Sequence, residues 1–167
     1  MTSQQHRSEG PEVVRCAVVT VSDTRTHETD ASGALVAEHL ASAHHVIAAR
    51  HIVRDDPSEI DRLLRELAAG SEIDAILVTG GTGLGSRDLT FETVSRLLTK
   101  ALPGYGELFR WLSYAEIGPA AMLSRAVGGL MGRIVLLTMP GSPHAVRLAM
   151  DKVILPELGH LVREARR

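Results

Sequence analysis

The stretch Thr79–Glu92, TGGTGLGSRDLTFE, is the feature from which the rest of the sequence can be interpreted. The apolar run at 73–78 before it is rich in β-branched residues and indicates a buried parallel strand, and Phe91–Leu98 after it indicates a helix. The glycines therefore lie where a strand leads into a helix, at the carboxyl edge of a predicted sheet. Anions bind at this edge in open α/β folds because the N–H groups of helix starts point towards them.

Two well-known phosphate-binding loops do not match this stretch. A Walker A loop that begins at Gly80 requires a lysine after its second glycine, where the sequence has Ser86. The dinucleotide fingerprint GxGxxG does not match either. If it begins at Gly81, its third glycine is replaced by Ser86, and if it begins at Gly83, its third glycine is replaced by Asp88. Both mismatches argue against a nucleotide- or flavin-binding oxidoreductase. A purified flavoprotein would be yellow, so the colour of the protein tests this hypothesis.

A cation and a carboxylate, Arg87 and Asp88, end the glycine-rich loop. A carboxylate beside a phosphate repels it unless a hard cation such as Mg²⁺ lies between the two. The alternative is that Asp88 or Thr90 caps the helix that follows. The residue types are compatible with either function, a metal ligand or a helix cap.

The composition indicates one domain and argues against a nucleic-acid or membrane partner. The 167 residues include 18 basic and 20 acidic side chains, with a formal net charge of −2, and the basic residues are not massed in one run. One cysteine permits no internal disulfide, and no apolar stretch is long enough to span a bilayer, so the cytoplasm is the expected location. Residues 1–11 are predicted to be a flexible leader and 12–167 a single domain. The eight histidines include no HExxH pattern, so zinc is not expected.

Strands and helices alternate along the chain. Apolar runs predict strands at 13–21, 44–53, 73–78 and 134–139. A helix capped by Asp30 or Ser32 and another capped by Asp56 or Ser58 are predicted between the first three strands, and a long helix is predicted after the PGSP turn at 140–143. Strands that alternate with helices over short connections predict an α/β fold with a parallel sheet.

Aromatic residues are concentrated in the predicted helix that follows Pro103. Tyr105, Phe109, Trp111 and Tyr114 all lie there. Aromatic side chains are enriched at subunit interfaces, and they also contribute strongly to domain cores. The sequence leaves the two interpretations of this helix open.

Five segments, taken in order, resemble the MoaB/Mog family of molybdenum-cofactor biosynthesis proteins, whose domain recurs in larger gephyrin-like proteins. They are TVSD at 20–23, TGGTG with RDLT at 79–90, PGYGELFR at 103–110, LSRA at 123–126 and MPGSP at 139–143. TGGTG alone has low specificity, whereas the five segments together span nearly the whole chain after the leader. The resemblance implies a three-layer α/β/α fold around a mostly parallel sheet, assembled as trimers or hexamers.

The resemblance also implies binding of molybdopterin and, in active members, its adenylylation by ATP with Mg²⁺. It assigns the catalytic and metal-binding roles to Asp88 and Asp55, with the neighbouring Asp56 as the alternative to Asp55. Some MoaB-type members have other residues at these positions and are suspected to bind molybdopterin without catalysis. The alternative for this chain is therefore a non-catalytic molybdopterin-binding protein of the same pathway. Because this chain keeps Arg87, Asp88 and Asp55, the resemblance favours the active type.

The remaining site residues implied by the resemblance form two groups. Nucleotide or phosphate contacts are expected from Thr79, Gly80, Gly81, Thr82, Gly83, Ser22, Asp23 and Arg87. Molybdopterin contacts are expected from Ser124, Arg125, Gly141 and Ser142. A guanidinium group suits a phosphate because it donates two parallel hydrogen bonds. From its residue type alone, Asp23 is equally suited to capping its loop.

Overall fold

The computed structural model describes residues 10–167, so most of the predicted leader, residues 1–9, lies outside the described residues. Gly10 and Pro11, which the sequence also assigns to the leader, lie close to Gly159 near the end of the chain. A side-chain carbon on Gly159 would come within 2.7 Å of the Pro11 carbonyl oxygen. These two residues therefore contact the domain.

One mixed sheet of six strands forms the centre of the described residues. The strands are β1 (Arg15–Val21), β2 (Val46–Val53), β3 (Ala75–Thr79), β4 (Lys100–Ala101), β5 (Gly128–Met131) and β6 (Ile134–Met139). Their spatial order is β2-β1-β3-β6-β5-β4, in which the first four are parallel and the β5 and β4 pairings are antiparallel.

Helices cover both faces of this sheet. They are α1 (Ala31–Ser42), α2 (Pro57–Ala69), α3 (Thr90–Leu97), α4 (Pro103–Ile117), α5 (Pro143–Ala149) and α6 (Leu155–Arg166). Cys16 and Val18 of β1 point into a core shared with α1, α4, α5 and α6, whereas Ala17 and Val19 point into a core shared with α2 and α3. The predicted α/β/α sandwich with a mostly parallel sheet is confirmed.

Two of the predicted helix caps are present. The Asp30 carboxylate accepts a hydrogen bond from the Gly33 N–H at 2.9 Å and begins α1. Asp56 Oδ1 accepts from the N–H groups of Ser58 at 2.9 Å and Glu59 at 3.0 Å and begins α2. Each carboxylate satisfies N–H groups that lack partners within the helix.

The alternative in which Asp88 or Thr90 caps α3 does not hold in the structure. Leu89 precedes the helix, and no described side chain caps its first turn, so neither Asp88 nor Thr90 is a cap. Asp88 Oδ2 instead accepts from the Gly85 N–H at 2.8 Å, within the loop. The carboxylate of Asp88 thus belongs to the loop rather than to the helix.

The predicted long C-terminal helix is present at 143–166, with one irregular turn inside it. A wider π turn at Met150–Ile154 separates α5 from α6. Pro156 lies in the first turn of α6 and has no backbone N–H to donate, which accounts for a local change in hydrogen-bond spacing without an end to the helix. The short antiparallel strands β4 and β5 were not predicted because one has two residues and the other begins with two glycines. Within residues 10–167, no helix is both long and apolar enough to cross a membrane.

His44 follows α1 with a φ of 63°, the left-handed conformation that usually requires glycine. We expect His44→Gly to be at least as stable as the parent chain, because His44 is exposed and glycine adopts this conformation without strain. His44→Val is expected to lower the free energy of unfolding by about 1–2 kcal/mol. Thermal unfolding of the two variants checks the prediction, and equal stabilities of the glycine and valine variants would contradict it.

Candidate functional site

Two glycine-containing turns lie side by side at the carboxyl edge of the sheet, because β3 and β6 are adjacent and parallel. The Gly80 N–H donates to the Met139 carbonyl at 3.0 Å, and the Thr79 hydroxyl donates to the Pro140 carbonyl at 3.1 Å. A side-chain carbon on Gly141 would lie 3.3 Å from the Gly80 Cα. The turns are therefore close-packed, and the hydroxyl of Thr79 joins them to each other.

The backbone of the first turn depends on glycine. Gly80 and Gly81 have φ values of +102° and +66°. A side chain on Gly80 would collide with the Val21 carbonyl, and one on Gly81 would collide with the Thr90 hydroxyl. Because no side chain can project from these positions, the backbone of the loop is open to close approach, as the sequence predicted.

A cavity of about 550 Å³ opens beside these turns. Gly80–Gly83 and Asp88 form one side of it, and Ser124 and the turn at 140–142 form another. The remaining side is apolar and comes from α4 and the 3₁₀ segment after it, through Phe109, Ile117, Ala120, Ala121 and Leu123. The volume and the mixture of polar and apolar walls are typical of a small-molecule site.

Three carboxylates are grouped next to the glycine-rich loop. Asp23 Oδ1 accepts from the Asp55 N–H at 3.1 Å, and Asp55 Oδ1 accepts from the Leu89 N–H at 3.4 Å. Burial raises the pKa of Asp55 above its usual value, and the negative charges of Asp88 and Asp23 add to this increase. The three carboxylates thus lie close enough to influence one another's charge, next to the guanidinium of Arg87.

Asp55 and Asp56 have different functions in the structure. Asp56 is occupied as the cap of α2, whereas Asp55 lies among the loop carboxylates. The geometry therefore favours Asp55 over Asp56 as the partner of Asp88.

Arg87 forms a two-pronged ion pair with Asp23. Its Nε lies 2.6 Å from Asp23 Oδ2 and its Nη2 lies 2.9 Å from Asp23 Oδ1, while Nη2 also donates to the Asp55 carbonyl at 3.3 Å. Hydrogen bonding from Arg87 lowers the pKa of Asp23. Asp23 is thus more than a loop cap, because it links the TVSD segment to the glycine-rich loop.

The side chain of Arg125 packs against the backbone of the glycine-rich loop and does not line the cavity. Its Nε donates to the Gly83 carbonyl at 2.8 Å, its Nη2 donates to the Asp88 carbonyl at 2.6 Å, and its Nη1 pairs with Glu92. The guanidinium also stacks on the Phe91 ring, 5.3 Å from its centre. These donors hold the loop in shape, and the contact of Arg125 with molybdopterin that the resemblance implies stays a prediction.

Ser124 and Ser142 both line the cavity, but only one has a structural partner. Ser142 caps α5 by accepting from the Ala145 N–H at 3.2 Å. The Ser124 hydroxyl oxygen is buried and has no hydrogen-bond partner among the described residues. A buried polar atom without a partner is rare in native proteins, and a bound ligand would satisfy it.

Two further predicted site residues are held by the backbone. The Ser22 hydroxyl accepts from the N–H groups of Thr24 at 3.2 Å and Arg25 at 3.1 Å, so it shapes the turn after β1. Thr82 is buried on the cavity wall, and its carbonyl accepts from the Arg125 N–H at 3.0 Å.

Several residues near the site were not identified from sequence. Glu92 and Phe91 hold the guanidinium of Arg125, and Arg110 donates to the Ala126 carbonyl at 2.9 Å and so fixes the segment that carries Ser124. Arg125 and Glu92 are 33 residues apart in the chain, and Arg110 and Ala126 are 16 apart, so no local pattern indicates these contacts. At the cavity wall, His144 Nε2 lies 2.6 Å from a carboxylate oxygen of Glu116.

The carboxylates beside the loop are compatible with a bound Mg²⁺ ion. Within residues 10–167, no group of three or more histidine, cysteine or acidic side chains could hold a metal ion on its own. Mg²⁺ usually takes only one or two carboxylates and completes its shell with water and substrate phosphates. Asp55, whose pKa is raised by burial and by the charge of Asp88, fits that pattern together with Asp88.

The fold and the site define an α/β protein with a glycine-lined ligand cavity at the carboxyl edge of its sheet. Residues 17–160 match a family described as a probable molybdopterin binding domain. Molybdenum cofactor biosynthesis protein B of Halalkalibacterium halodurans is 50% identical over 165 residues, which are 98% of this chain and 97% of the relative.

Solved structures agree with this match. The crystal structure of a molybdenum cofactor biosynthesis protein B has a TM-score of 0.92 and 52% identity, and covers 95% of this chain and 99% of its own. The tungsten cofactor synthesizing protein MoaB from Pyrococcus furiosus has a TM-score of 0.84 and 35% identity, and covers 94% and 99%. The chain therefore belongs to the MoaB/Mog family of molybdenum cofactor biosynthesis proteins, which confirms the resemblance seen in the sequence.

Proposed function

We propose that this protein acts in molybdenum cofactor biosynthesis as a molybdopterin adenylyltransferase that uses ATP with Mg²⁺. The observation that supports this most directly is the position of Asp88 on the wall of a ligand cavity, with Asp55 close enough for the charge of Asp88 to raise its pKa. The names of the relatives support the pathway, and the description of the family supports molybdopterin as the ligand.

In the proposed reaction, the terminal phosphate of molybdopterin attacks the α-phosphorus of ATP. A new P–O bond forms to the α-phosphorus, the bond from this phosphorus to the bridging oxygen of the β-phosphate breaks, and pyrophosphate leaves with the electron pair. A phosphate monoester has a second pKa of about 6, so the nucleophile is already anionic at neutral pH. The chain therefore has to position and neutralise charges rather than supply a base.

The glycine-rich loop and Arg87 are suited to binding the phosphates. Gly81, Thr82 and Gly83 line the cavity, and their N–H groups would be the donors to a phosphate, with no side chains at the glycines to obstruct it. Arg87 is paired with Asp23 through two donors, the geometry in which a guanidinium also binds phosphate. We propose that Arg87 exchanges the carboxylate of Asp23 for a phosphate of ATP when the nucleotide binds.

Asp55 and Asp88 would hold Mg²⁺. When bound, Mg²⁺ supplies positive charge that neutralises the phosphate oxygens and the departing pyrophosphate. The carbonyl of Asp88 is held by Arg125 and its Oδ2 by the Gly85 N–H, so the carboxylate has a defined position before any ligand arrives.

Molybdopterin would occupy the mixed polar and apolar part of the cavity. The unpartnered hydroxyl of Ser124 offers a hydrogen bond there, and the adjacent apolar wall of Ile117 and Leu123 suits a ring system. Gly141 and Ser142 form the turn on the same cavity, next to Gly80.

The experiment that tests the proposed function is pyrophosphate release from Mg-ATP with and without molybdopterin. Release that requires molybdopterin supports the adenylyltransferase. Molybdopterin binding without any release supports the second candidate, a binding-only protein of the same pathway. One observation favours that candidate. Arg87 already pairs with Asp23 and Arg125 already donates to the Gly83 carbonyl, so neither guanidinium group is free to bind a phosphate without losing a contact.

We also propose that the protein is a homo-oligomer, a trimer or a hexamer, assembled through α4 and the segment after it. Tyr105 and Phe109 of this helix are buried in the core, whereas Trp111 is 69% exposed and Tyr114 60% exposed. The exposed apolar residues beside them are Leu108, Ile117, Met122 and Leu123. The two sequence interpretations of the aromatic helix therefore apply to different faces, one packed in the core and one available to a partner.

Trp111→Glu is expected to separate the subunits, because a buried interface tryptophan commonly contributes about 2 kcal/mol or more to binding. Sedimentation velocity of the parent chain should give the mass of a trimer or hexamer, and that of the variant the mass of a monomer. Arg62→Glu on the exposed face of α2 is the matched control and should leave the mass unchanged. A monomeric parent chain, or an intact assembly in Trp111→Glu, would contradict the prediction.

A further inference from the structure

A second cavity of about 550 Å³ lies at the amino-terminal edge of the sheet, at the opposite ends of the strands from the candidate site. It is formed where β1 begins, before β3, at the β5–β6 turn and at the end of α6. Its charged lining consists of Arg15, Asp74, Arg133 and Arg166, around an apolar floor that includes Ile73 and Ile134. None of these residues lines the cavity beside the glycine-rich loop.

Asp74 holds two of the three arginines in place. Its carboxylate is 7% exposed, accepts from the Arg15 N–H at 2.9 Å and from Arg166 Nη2 at 2.6 Å, and lies 3.5 Å from Arg15 Nε. Burial alone would raise the pKa of Asp74, but hydrogen bonds from Arg15 and Arg166 outweigh it and lower the pKa. Asp74 is therefore ionised, and the two guanidinium groups are preorganised around it.

Arg15 is restrained further by the segment that precedes β3. Its Nη2 donates to the Ser71 carbonyl at 3.0 Å, and its Nη1 lies 3.2 Å from Glu72. The side chain of Arg166 remains 49% exposed. Arg166 thus keeps donors that Asp74 does not use, since a guanidinium group has five N–H donors.

Arg133 takes no part in this network. It lies in the two-residue turn Gly132-Arg133 between β5 and β6, and Gly132 has a φ of +63°, which suits a tight hairpin. The Arg133 side chain has no hydrogen bond or ion pair with any described residue. The Asp74 network would be complete without Arg133, so a structural role for the network does not explain a third arginine at the cavity.

The cavity keeps an excess of positive charge, because Arg133 has no acidic partner among the described residues. Three guanidinium groups and the Asp74 carboxylate line the cavity, and Glu72 beside it pairs with Arg15, so an excess of one positive charge remains in a chain whose net charge is −2. Guanidinium groups bind phosphate and carboxylate groups in a two-pronged manner. We propose that this cavity is a second ligand site, for a small molecule that carries a phosphate or two carboxylates on an apolar body.

The ligand would place its anionic group between Arg133 and Arg166 and its apolar part on Ile73 and Ile134. Asp74 would remain paired with Arg15 and would not contact the anion. The site is independent of the proposed adenylyl transfer, since the two cavities share no lining residue.

The test is a titration of the ¹⁵N-labelled full-length chain, first with inorganic phosphate and then with succinate, followed by NMR. Gly70 and Gly132 report on the second cavity, whereas Gly81 and Gly83 report on the glycine-rich loop. We expect saturable shifts at Gly70 and Gly132 with at least one of the two anions. Shifts confined to Gly81 and Gly83, or linear shifts without saturation, would overturn the proposal and indicate the other site or an adventitious ion only.

Arg133→Gln provides the decisive variant, because this exposed side chain has no partner among the described residues whose loss would unfold the chain. We expect it to weaken anion binding at Gly132 by about tenfold or more, as for the loss of a charge-assisted hydrogen bond. Arg62→Gln, which removes the same charge from the exposed face of α2, should leave the affinity unchanged. Equal loss in both variants would mean that only the overall charge attracts the anion, and this would overturn the site.

Discussion

Replacement of Asp88 by asparagine is expected to reduce molybdopterin-dependent pyrophosphate release by about a hundredfold or more while the fold is retained. Asparagine has the same shape and keeps an oxygen that can accept the Gly85 N–H, so the loop contact at 2.8 Å survives. What disappears is the negative charge on the cavity wall, which the proposed reaction needs to hold Mg²⁺. Steady-state pyrophosphate release and thermal unfolding, measured on the same preparation, give the two results.

Asp61→Asn is the matched control for this change. Asp61 lies on the exposed face of α2, where it pairs with Arg65 at 2.8 Å, four residues further on. Its neutralisation is expected to change release by less than about twofold, since it is a surface ion pair of little energetic consequence. Parent-level turnover in Asp88→Asn would exclude the carboxylate from the reaction. A large decrease in the melting temperature of Asp88→Asn would instead assign Asp88 a structural role.

Replacement of Arg125 by alanine is expected to destabilise the domain by about 2–4 kcal/mol and to abolish most turnover. The change removes the hydrogen bonds to the Gly83 and Asp88 carbonyls and leaves Glu92 without its partner. Because the Asp88 backbone is then free to move, the carboxylate loses its defined position. Urea unfolding reports the stability, and amide hydrogen exchange of Gly83 and Gly85 reports the mobility of the loop.

Two further variants distinguish the effect of a displaced loop from the effect of a lost positive charge at Arg125. Arg125→Lys keeps the charge but lacks the planar arrangement of donors, so it is expected to restore only a small part of the activity. Arg96→Ala removes an exposed arginine from the same helix as Glu92 and should match the parent chain. Slow exchange at Gly83 in Arg125→Ala, together with lost turnover, would contradict the positioning role and support direct contact with the ligand.

The parts of the fold with strong local patterns were predictable from sequence. The buried runs of β1, β3 and β6 and the carboxylate caps of α1 and α2 follow from residue type and spacing. The edge strand β4 has only two residues and no such pattern, and it forms because it pairs with β5. The π turn between α5 and α6 depends on how the chain accommodates Pro156, and this was not evident from the apolar spacing.

The candidate site was likewise predictable from sequence only in part. The glycine-rich turn was evident because several glycines directly follow a buried strand, and Gly80 and Gly81 do take left-handed conformations. The functions of the charged residues were not evident. Arg125 and Arg87 have the same side chain, yet one holds Gly83 and Glu92 while the other is paired with Asp23 across the site.

The sequence by itself determined the order of the main strands and helices, the two glycine turns and the family, because these depend on residues that are adjacent in the chain. Only the tertiary structure decided which carboxylate lies beside Asp88 and which one caps a helix, since Asp55 and Asp56 are neighbours of identical type. It also decided that Arg15, Arg133 and Arg166 meet at a second cavity. The physical reason is that hydrogen bonding and charge act over distances in space, and only the folded chain brings these distant residues together.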